Sequence, residues 1–180
     1  QSAIMASISK SIAYSISDTA ANIVANIGGL NESNNITATS SATYGQAKLI
    51  KDATNGGSKI YDISDAATNL SAGIGTDSVV IKSAGTVTAS TSALASEANV
   101  IAGLAKAITY NIADTAANVA GADSTALNQA VNIFCTTAAT VAQAIIIDNA
   151  TNSGTNTYNI VDTDANIAAA GDALLETAGT

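Results

Sequence analysis

The side chains of this chain that could carry chemistry are mainly carboxylates, amides and hydroxyls. The sequence contains 14 acidic residues, one cysteine and no histidine. Two pairs of carboxylates lie close together, Asp62 with Asp65 and Asp162 with Asp164, and such a pair can act as general acid and general base. Neither pair recurs in all four copies of the repeat described below, and structural roles explain the aspartates that do recur. We therefore predict no enzymatic activity and no catalytic residue.

The single cysteine and the missing histidines exclude the common nucleophilic and metal-assisted mechanisms. A serine or cysteine nucleophile requires a neighbouring base, which is most often histidine. Cys135 stands in the apolar run 131–135, which is typical of a small buried side chain. Zinc, copper, haem and iron–sulfur sites require imidazole or several thiolate ligands. We therefore predict no cofactor of these classes.

Calcium is the metal ion that the composition leaves open. It prefers carboxylate and carbonyl oxygen ligands, and the segment 148–152 contains Asp148, Asn149 and Asn152. The sequence contains neither an Asp-x-Asp-x-Asp-Gly loop nor a Gly-Gly-x-Gly-x-Asp nonapeptide, which are the usual calcium motifs. We therefore assign no metal ligand and keep calcium dependence as an alternative.

Charge and hydropathy restrict the partners and the location of the chain. Six basic and 14 acidic residues give a net charge of −8, which repels the phosphates of nucleic acid. No run of 18 apolar residues occurs, so we predict no membrane insertion. The low content of charged residues, 11%, together with abundant Ser, Thr and Asn, favours an extracellular or cell-surface location.

A repeated motif, Tyr-x-Ile-x-Asp-x-x-x-Asn, organises most of the chain. It occurs four times, at intervals of 47, 49 and 48 residues. Its recurring polar residues are Tyr14, Tyr61, Tyr110 and Tyr158; Asp18, Asp65, Asp114 and Asp162; and Asn22, Asn69, Asn118 and Asn166. Internal similarity at a constant period is the signature of a repeat protein.

A second half-unit lies between the copies of this motif. It starts at Ile36, Val87 and Ile133, and an Ala-rich stretch follows each start. The alternating β-formers predict strands and the Ala-rich stretches predict helices. Each unit of about 48 residues is therefore predicted to have the element order β-α-β-α. Right-handed crossovers would join such units into a right-handed α/β repeat solenoid with columns of parallel strands and helices outside. A closed α/β barrel and an open doubly wound sheet are the alternatives.

We predict one repeat array over residues 1–180. Its nearly four units cover approximately 1–40, 41–90, 91–139 and 140–180. The first and last residues fall at different points of the repeat, which predicts that the chain is a window of a longer array.

The recurring polar residues have structural interpretations in this fold. An Asp between a strand and a helix can accept hydrogen bonds from the first helical turn, so the four aspartates are predicted N-caps. In stacked units the tyrosines and the asparagines would form two ladders, with each Asn a buried amide that satisfies backbone groups or a neighbouring Asn. A row of polar ligands for a bound partner is the functional alternative for the asparagines.

The phrase Asp-Thr-Ala-Ala-Asn-Ile/Val, at residues 18–23 and 114–119 and varied in the other two copies, resembles repeats of very large bacterial surface and secreted proteins. These include adhesin-like and RTX-associated proteins. The resemblance covers nearly the whole chain. It implies export without an N-terminal signal, by a type I system, and a role as a stalk, an adhesive or a filament.

From these features we predict a structural, self-associating extracellular fibre or cell-surface scaffold. Its expected partner is another copy of the chain, bound end to end. The alternative is an adhesin or a carbohydrate- or surface-binding module, calcium-dependent in one version, whose partners would be cell-surface glycans.

Overall fold

The computed structural model describes residues 13–179, which form an α/β fold of short parallel strands and short helices. Each strand contains two or three residues, and six of them begin at the Ile or Val of a half-unit, whereas β3 and β8 come just before a recurring tyrosine. The eight strands in this part of the chain are β1 Ile16–Asp18, β2 Ile36–Ala38, β3 Lys59–Ile60, β4 Ile63–Asp65, β5 Val87–Ala89, β6 Ile112–Asp114, β7 Ile133–Cys135 and β8 Asn156–Thr157.

Nine α-helices lie within the same residues. They are α1 Ala20–Ala25, α2 Tyr44–Asp52, α3 Ala67–Ser83, α4 Ala95–Ala102, α5 Ala116–Ala120, α6 Ser124–Gln129, α7 Val141–Asp148, α8 Asp164–Ala169 and α9 Asp172–Thr177. A short 3-10 helix, Ile27–Gly29, follows α1. Helix α3 is kinked at Asp77, whose φ of −150° and ψ of 81° are not helical.

The strands form three small sheets, and all of their pairings are parallel. The strand orders are β1-β2-β3, β4-β5 and β6-β7-β8. The apolar residues that open each strand lie side by side: Ile16 pairs with Ile36, Ile63 with Val87, and Ile112 with Ile133. Between the sheets the described residues form only isolated bridges, such as Ala42 with Ile63 and Ala93 with Ile112.

This topology shows that the predicted right-handed solenoid of 48-residue β-α-β-α units is wrong. The α/β class and the parallel pairing are present, but the continuous columns of equivalent strands are not. The strands that follow the recurring tyrosines, β1, β4 and β6, lie in three different sheets, and each pairs with the strand of the half-unit that follows it. The sequence period of about 48 residues is therefore not the step of strand pairing.

The similarity of the two half-units explains this difference. Both place an Ile or a Val at the same position of the strand, so either one offers an apolar neighbour to the other. Parallel strands need only a helical crossover of a dozen or more residues between them. Pairing with the adjacent half-unit closes a shorter loop and costs less conformational entropy than pairing with the next equivalent strand.

The core lies between the sheets and the helices. The residues that open the strands, such as Ile36, Ile63 and Ile112, are fully buried, and one face of each helix packs on them. Small side chains fill the closest contacts, as at Ala67 and Ala116. The helices also bury large apolar residues, such as Leu70 and Ile147, so both kinds of element fill the core.

Candidate functional site

The recurring aspartates form the most regular polar arrangement in the described residues. In each copy, Oδ1 of the Asp accepts a hydrogen bond from the backbone N–H of the next residue. In Asp114 this bond comes from Thr115 at 2.7 Å, and a second bond comes from the Asn118 amide at 2.9 Å. Asp18, Asp65 and Asp162 make the same two contacts. One carboxylate oxygen therefore stabilises the turn after the strand and the first turn of the helix that follows.

The second carboxylate oxygen reaches a different part of the chain. Oδ2 of Asp114 accepts the N–H of Ala95, the first residue of α4, at 3.0 Å. Asp65 accepts Tyr44 N–H at the start of α2, and Asp162 accepts Val141 N–H at the start of α7, both at 2.9 Å. These aspartates therefore cap the helix that precedes them in the chain.

This geometry corrects the predicted N-cap role of the aspartates. The N-cap of the following helix is one residue later: Thr19, Ala66, Thr115 and Thr163 precede α1, α3, α5 and α8. Where the cap is Thr, its hydroxyl accepts the N–H of the recurring Asn. The Asp stands at the end of the strand, where its side chain can reach two helices instead of one.

A set of hydroxyl groups makes the opposite contact, from a half-unit to the start of a helix in the half-unit before it. The first N–H of α1, α3 and α5 donates to Ser40, Thr91 and Thr137, at 3.1 to 3.2 Å, and each of these hydroxyls lies in the next half-unit. Helix N-termini leave backbone N–H groups without intrahelical partners. Each half-unit therefore satisfies a helix start in its neighbour.

The asparagines do not form the predicted buried ladder. Asn22, Asn69, Asn118 and Asn166 are all exposed, and each donates to the Asp four residues before it. An i to i+4 pair on one helical face explains the constant spacing of Asp and Asn. The prediction of a buried amide column is wrong because the local partner is closer than the next asparagine.

The tyrosines pack under the helices. Tyr61, Tyr110 and Tyr158 are buried, and Tyr14 is half-buried. The hydroxyl of Tyr110 donates to the Ala126 carbonyl at 2.7 Å, and Tyr14 and Tyr61 likewise donate to backbone carbonyls. Tyr158 donates instead to the Asp148 carboxylate. Burial raises the pKa of Tyr110 to about 12, so this phenol stays neutral and anchors the helix above it.

The Asp–Asn pairs line three equivalent shallow grooves between neighbouring helices. The grooves at Asp65, Asp114 and Asp162 have volumes of about 380, 300 and 360 Å³. Their carboxylates already accept the hydrogen bonds described above. These grooves are therefore a by-product of helix packing, and the polar atoms at their floors are used for internal contacts.

The hydrogen bonds also lower the pKa of several carboxyls. In Asp18 the Asn22 amide and the Thr19 N–H hold the pKa below its usual range, and in Asp162 the Asn166 amide and the Val141 and Thr163 N–H groups do so. In Asp114 burial opposes the shift, but hydrogen bonds from Asn118, Ala95 and Thr115 outweigh it and lower the pKa.

We expect Asp114→Ala to reduce the free energy of unfolding at pH 7 by about 2 kcal/mol, because it leaves the first N–H of α4 without its charged acceptor. Asp18→Ala is the matched control: Asp18 is exposed whereas Asp114 is buried, so the loss should be smaller. Since the folded-state pKa is lowered, the contribution of Asp114 is present above the unfolded pKa of about 4 and is lost as the pH falls through the folded value.

Urea denaturation at pH 7 and pH 3 measures both effects. The stability difference between wild type and Asp114→Ala should shrink at pH 3. An equal difference at the two pH values would contradict a role for the charged carboxylate.

Sequence reasoning missed a second set of residues, which joins β2 to β3 and β7 to β8. Asn35 Oδ1 accepts the N–H of Ser58, and Asn132 Oδ1 accepts the N–H of Thr155, both at 3.0 Å. Gly57 and Gly154 lie directly before these donors and pack against the same asparagines. The signal in the sequence is a Gly-Ser or Gly-Thr dipeptide, at residues 57–58 and 154–155.

The other sequence candidates do not converge on a site. Cys135 is buried, and burial followed by the nearby Asp114 charge raises the pKa of its thiol to about 11. Asp62 accepts hydrogen bonds from the N–H and the hydroxyl of Thr86. No three Cys, Asp or Glu side chains of residues 13–179 lie close enough together to hold a metal ion.

Within residues 13–179, no helix is both long enough and apolar enough to cross a membrane.

Comparisons of the chain with protein families, curated proteins and solved structures found no match. The function of the chain must therefore be inferred from its own residues and contacts.

Proposed function

We propose that this chain is a structural, self-associating protein of an extracellular fibre or a cell-surface scaffold, and not an enzyme. It would bind further copies of itself end to end. The observation that carries the proposal is the use of the recurring residues: in every copy the Asp, the Asn and the Tyr bind other parts of the same chain.

Internal use of the recurring residues favours a scaffold over a catalyst. A catalytic group must keep an atom available to the substrate. The aspartates at positions 65, 114 and 162 accept three hydrogen bonds each, two of which come from backbone N–H groups. These aspartates connect neighbouring half-units along the chain, as a structural scaffold requires.

The surface near the C-terminal end of the described residues supports self-association. Ile167 of α8 is partly exposed, whereas its equivalents Ile23, Leu70 and Val119 are buried to 2% exposure or less. Val161 nearby is 69% exposed. In the preceding copies the helix equivalent to α8 packs on a helix of the next half-unit, and Ser64 and Ala113, at the position of Val161, lie beside its strand. Ile167 and Val161 could receive the corresponding surface of a second copy in the same way.

The chemistry of the whole chain agrees with this role. A net charge of −8 disfavours nucleic acid, and the repeat motif resembles those of large exported bacterial surface proteins. For these reasons we place the protein outside the cell or on its surface.

The self-association can be tested with a charge placed on Val161. We expect wild-type protein to form elongated assemblies in sedimentation velocity and electron microscopy. Val161→Glu should raise the protein concentration at which these assemblies form at least tenfold, because a desolvated carboxylate opposes an apolar contact. Val79→Glu is the matched control, since Val79 is also exposed, at 50%, but lies on α3.

Two results would overturn the proposal. One is a wild-type protein that stays a compact monomer at all concentrations. The other is an assembly that Val161→Glu and Val79→Glu weaken equally, which would exclude the end surface as the contact.

An adhesin or a glycan-binding module is the alternative function. The outward positions of the strands favour it, because Thr37, Ser64 and Thr88 offer hydroxyls on an uncharged face. Asp65, Asp114 and Asp162 do not add to it as calcium ligands, since both oxygens of each accept hydrogen bonds.

A further inference from the structure

The side-chain amide of Asn55 connects the residues before β3 to the residues before β2. Its Nδ2 donates to the Asn34 carbonyl at 3.1 Å, and Asn55 is only 7% exposed. Its Oδ1 is buried and has no hydrogen-bond partner within the described residues. A carbonyl accepts hydrogen bonds only from a donor, so this contact depends on the amide nitrogen. An ionised carboxylate at residue 55 could not make it.

The residue that follows Asn55 is a glycine with open space around it. A Cβ at Gly56 would meet nothing within 4 Å, and Gly56 is exposed. Residues 53–58 form neither a helix nor a strand, and the Gly56 N–H has no backbone acceptor among residues 13–179. Glycine also reaches more backbone conformations than any other residue. The backbone nitrogen of Gly56 is therefore free to approach the Asn55 side chain.

An asparagine in this setting can lose its side-chain nitrogen, which is why asparagine counts among the thermolabile residues. The Gly56 nitrogen attacks Cγ of Asn55, gives up its proton to solvent and expels ammonia, and this closes an imide ring. Water then opens the ring and leaves aspartate or isoaspartate at residue 55. The reaction consumes water and releases ammonia, and it requires no oxidant, reductant or enzyme.

We propose that Asn55 is a site of spontaneous deamidation and that the reaction weakens the contact between β2 and β3. The product places a carboxylate oxygen against the Asn34 carbonyl oxygen, where the amide donated before. The chain cannot shift freely to separate the two oxygens, because an added Cβ at Gly57 would lie 1.7 Å from the same carbonyl oxygen. A buried polar group that loses its partner costs free energy. The inference is independent of the end-to-end assembly proposed above.

The third sheet contains a matched site with a different following residue. The Asn152 amide also donates to a backbone carbonyl, at 3.0 Å, but Ser153 follows it where Gly56 follows Asn55. The Cβ of a serine hinders the approach of the backbone nitrogen to the side chain, so we expect Asn152 to react about tenfold more slowly than Asn55. Asn152 is the more exposed of the two asparagines. Exposure alone would therefore give the opposite order.

Peptide mapping by mass spectrometry, after incubation of the folded wild-type protein in mildly alkaline buffer, measures both conversions. Gly56→Ala is the control variant, because its Cβ has room in the fold and hinders only the attacking nitrogen. We expect it to slow the conversion of Asn55 about tenfold and to leave that of Asn152 unchanged. An Asn55 that stays intact in the wild type, or reacts equally fast in Gly56→Ala, would overturn the proposal.

The effect on the strand contact is tested with the reaction product. Asn55→Asp should unfold at a lower urea concentration than wild type, because its carboxylate cannot donate to Asn34. Gln129→Glu is the matched control, since it makes the same change from amide to carboxyl at an exposed residue and should leave the urea midpoint nearly unchanged. Equal midpoints for Asn55→Asp and wild type would show that deamidation does not weaken the contact.

Hydrogen exchange on the converted wild-type protein decides the same point if Asn55→Asp does not fold. The N–H of Ile36 donates to the Ser58 carbonyl at 2.9 Å and so reports on the pairing of β2 with β3. We expect this N–H to exchange faster in the deamidated fraction than in the intact fraction. The same exchange rate in both fractions would contradict the proposed weakening.

Discussion

Gly57→Ala should destabilise the protein by about 3 kcal/mol or more, as an overpacked site without room to relax. A Cβ atom at residue 57 would lie 1.7 Å from the Asn34 carbonyl oxygen and 2.6 Å from Oδ1 of Asn35. Both atoms belong to the joint between β2 and β3, and the first is backbone. No glycine of the described residues has a positive φ, so the requirement is close approach and not an unusual backbone conformation.

The neighbouring glycine is a matched control for this prediction. A Cβ at Gly56 would meet nothing within 4 Å, so Gly56→Ala should leave the urea midpoint nearly unchanged. Gly154→Ala should repeat the loss seen at residue 57, because its Cβ would lie 2.4 Å from the Val131 carbonyl. If Gly57→Ala and Gly56→Ala unfold at the same urea concentration, the described contact between β2 and β3 is wrong.

Tyr110→Ala should cost about 4 kcal/mol of unfolding free energy, the usual range for removing a large aromatic side chain from a core. Tyr110 is 1% exposed and packs beneath α6, where its hydroxyl donates to Ala126. The mutation therefore creates a cavity and also leaves a helix carbonyl without its donor. Tyr110→Phe should cost only about 1 kcal/mol, because it removes the hydrogen bond and keeps the ring.

The first copy of the motif offers a comparison with the same residue type. Tyr14 makes the equivalent bond, to Gly29 at 2.8 Å, but is only half-buried. Tyr14→Ala should therefore cost clearly less than Tyr110→Ala in urea denaturation. Equal losses at the two positions would show that burial of the ring does not determine the contribution of this tyrosine.

Local features of the fold were predictable because short-range forces determine them. The Ile of Tyr-x-Ile-x-Asp begins a strand, and the following Ala-rich stretch forms a helix, as the alternation and the helix propensities indicate. The constant Asp-to-Asn spacing signalled a real contact. The predicted contact between asparagines is wrong, because the i to i+4 geometry of a helix brings Asn118 to Asp114 and not to another asparagine.

The contacts between half-units could not be predicted from periodicity. An aspartate gives no sign in its own sequence neighbourhood that its second oxygen binds a helix start 19 residues earlier, as Asp114 does at Ala95. The same holds for Gly57, where an added Cβ would first meet the carbonyl oxygen of residue 34. These partners depend on which strands lie side by side, and two similar half-units made more than one pairing compatible with the pattern.

The order of residues alone determined that this protein alternates short strands and helices, that Ile and Val form its core, and that Asp, Asn and Tyr recur at equivalent positions. These are consequences of side-chain size, hydropathy and propensity, which act within a few residues. Only the tertiary structure decided that adjacent half-units pair, that the strands divide into three sheets and that Thr109 forms only an isolated bridge with β5. Strand register is a competition between nearly equal long-range pairings, and the pattern within one half-unit does not decide between them.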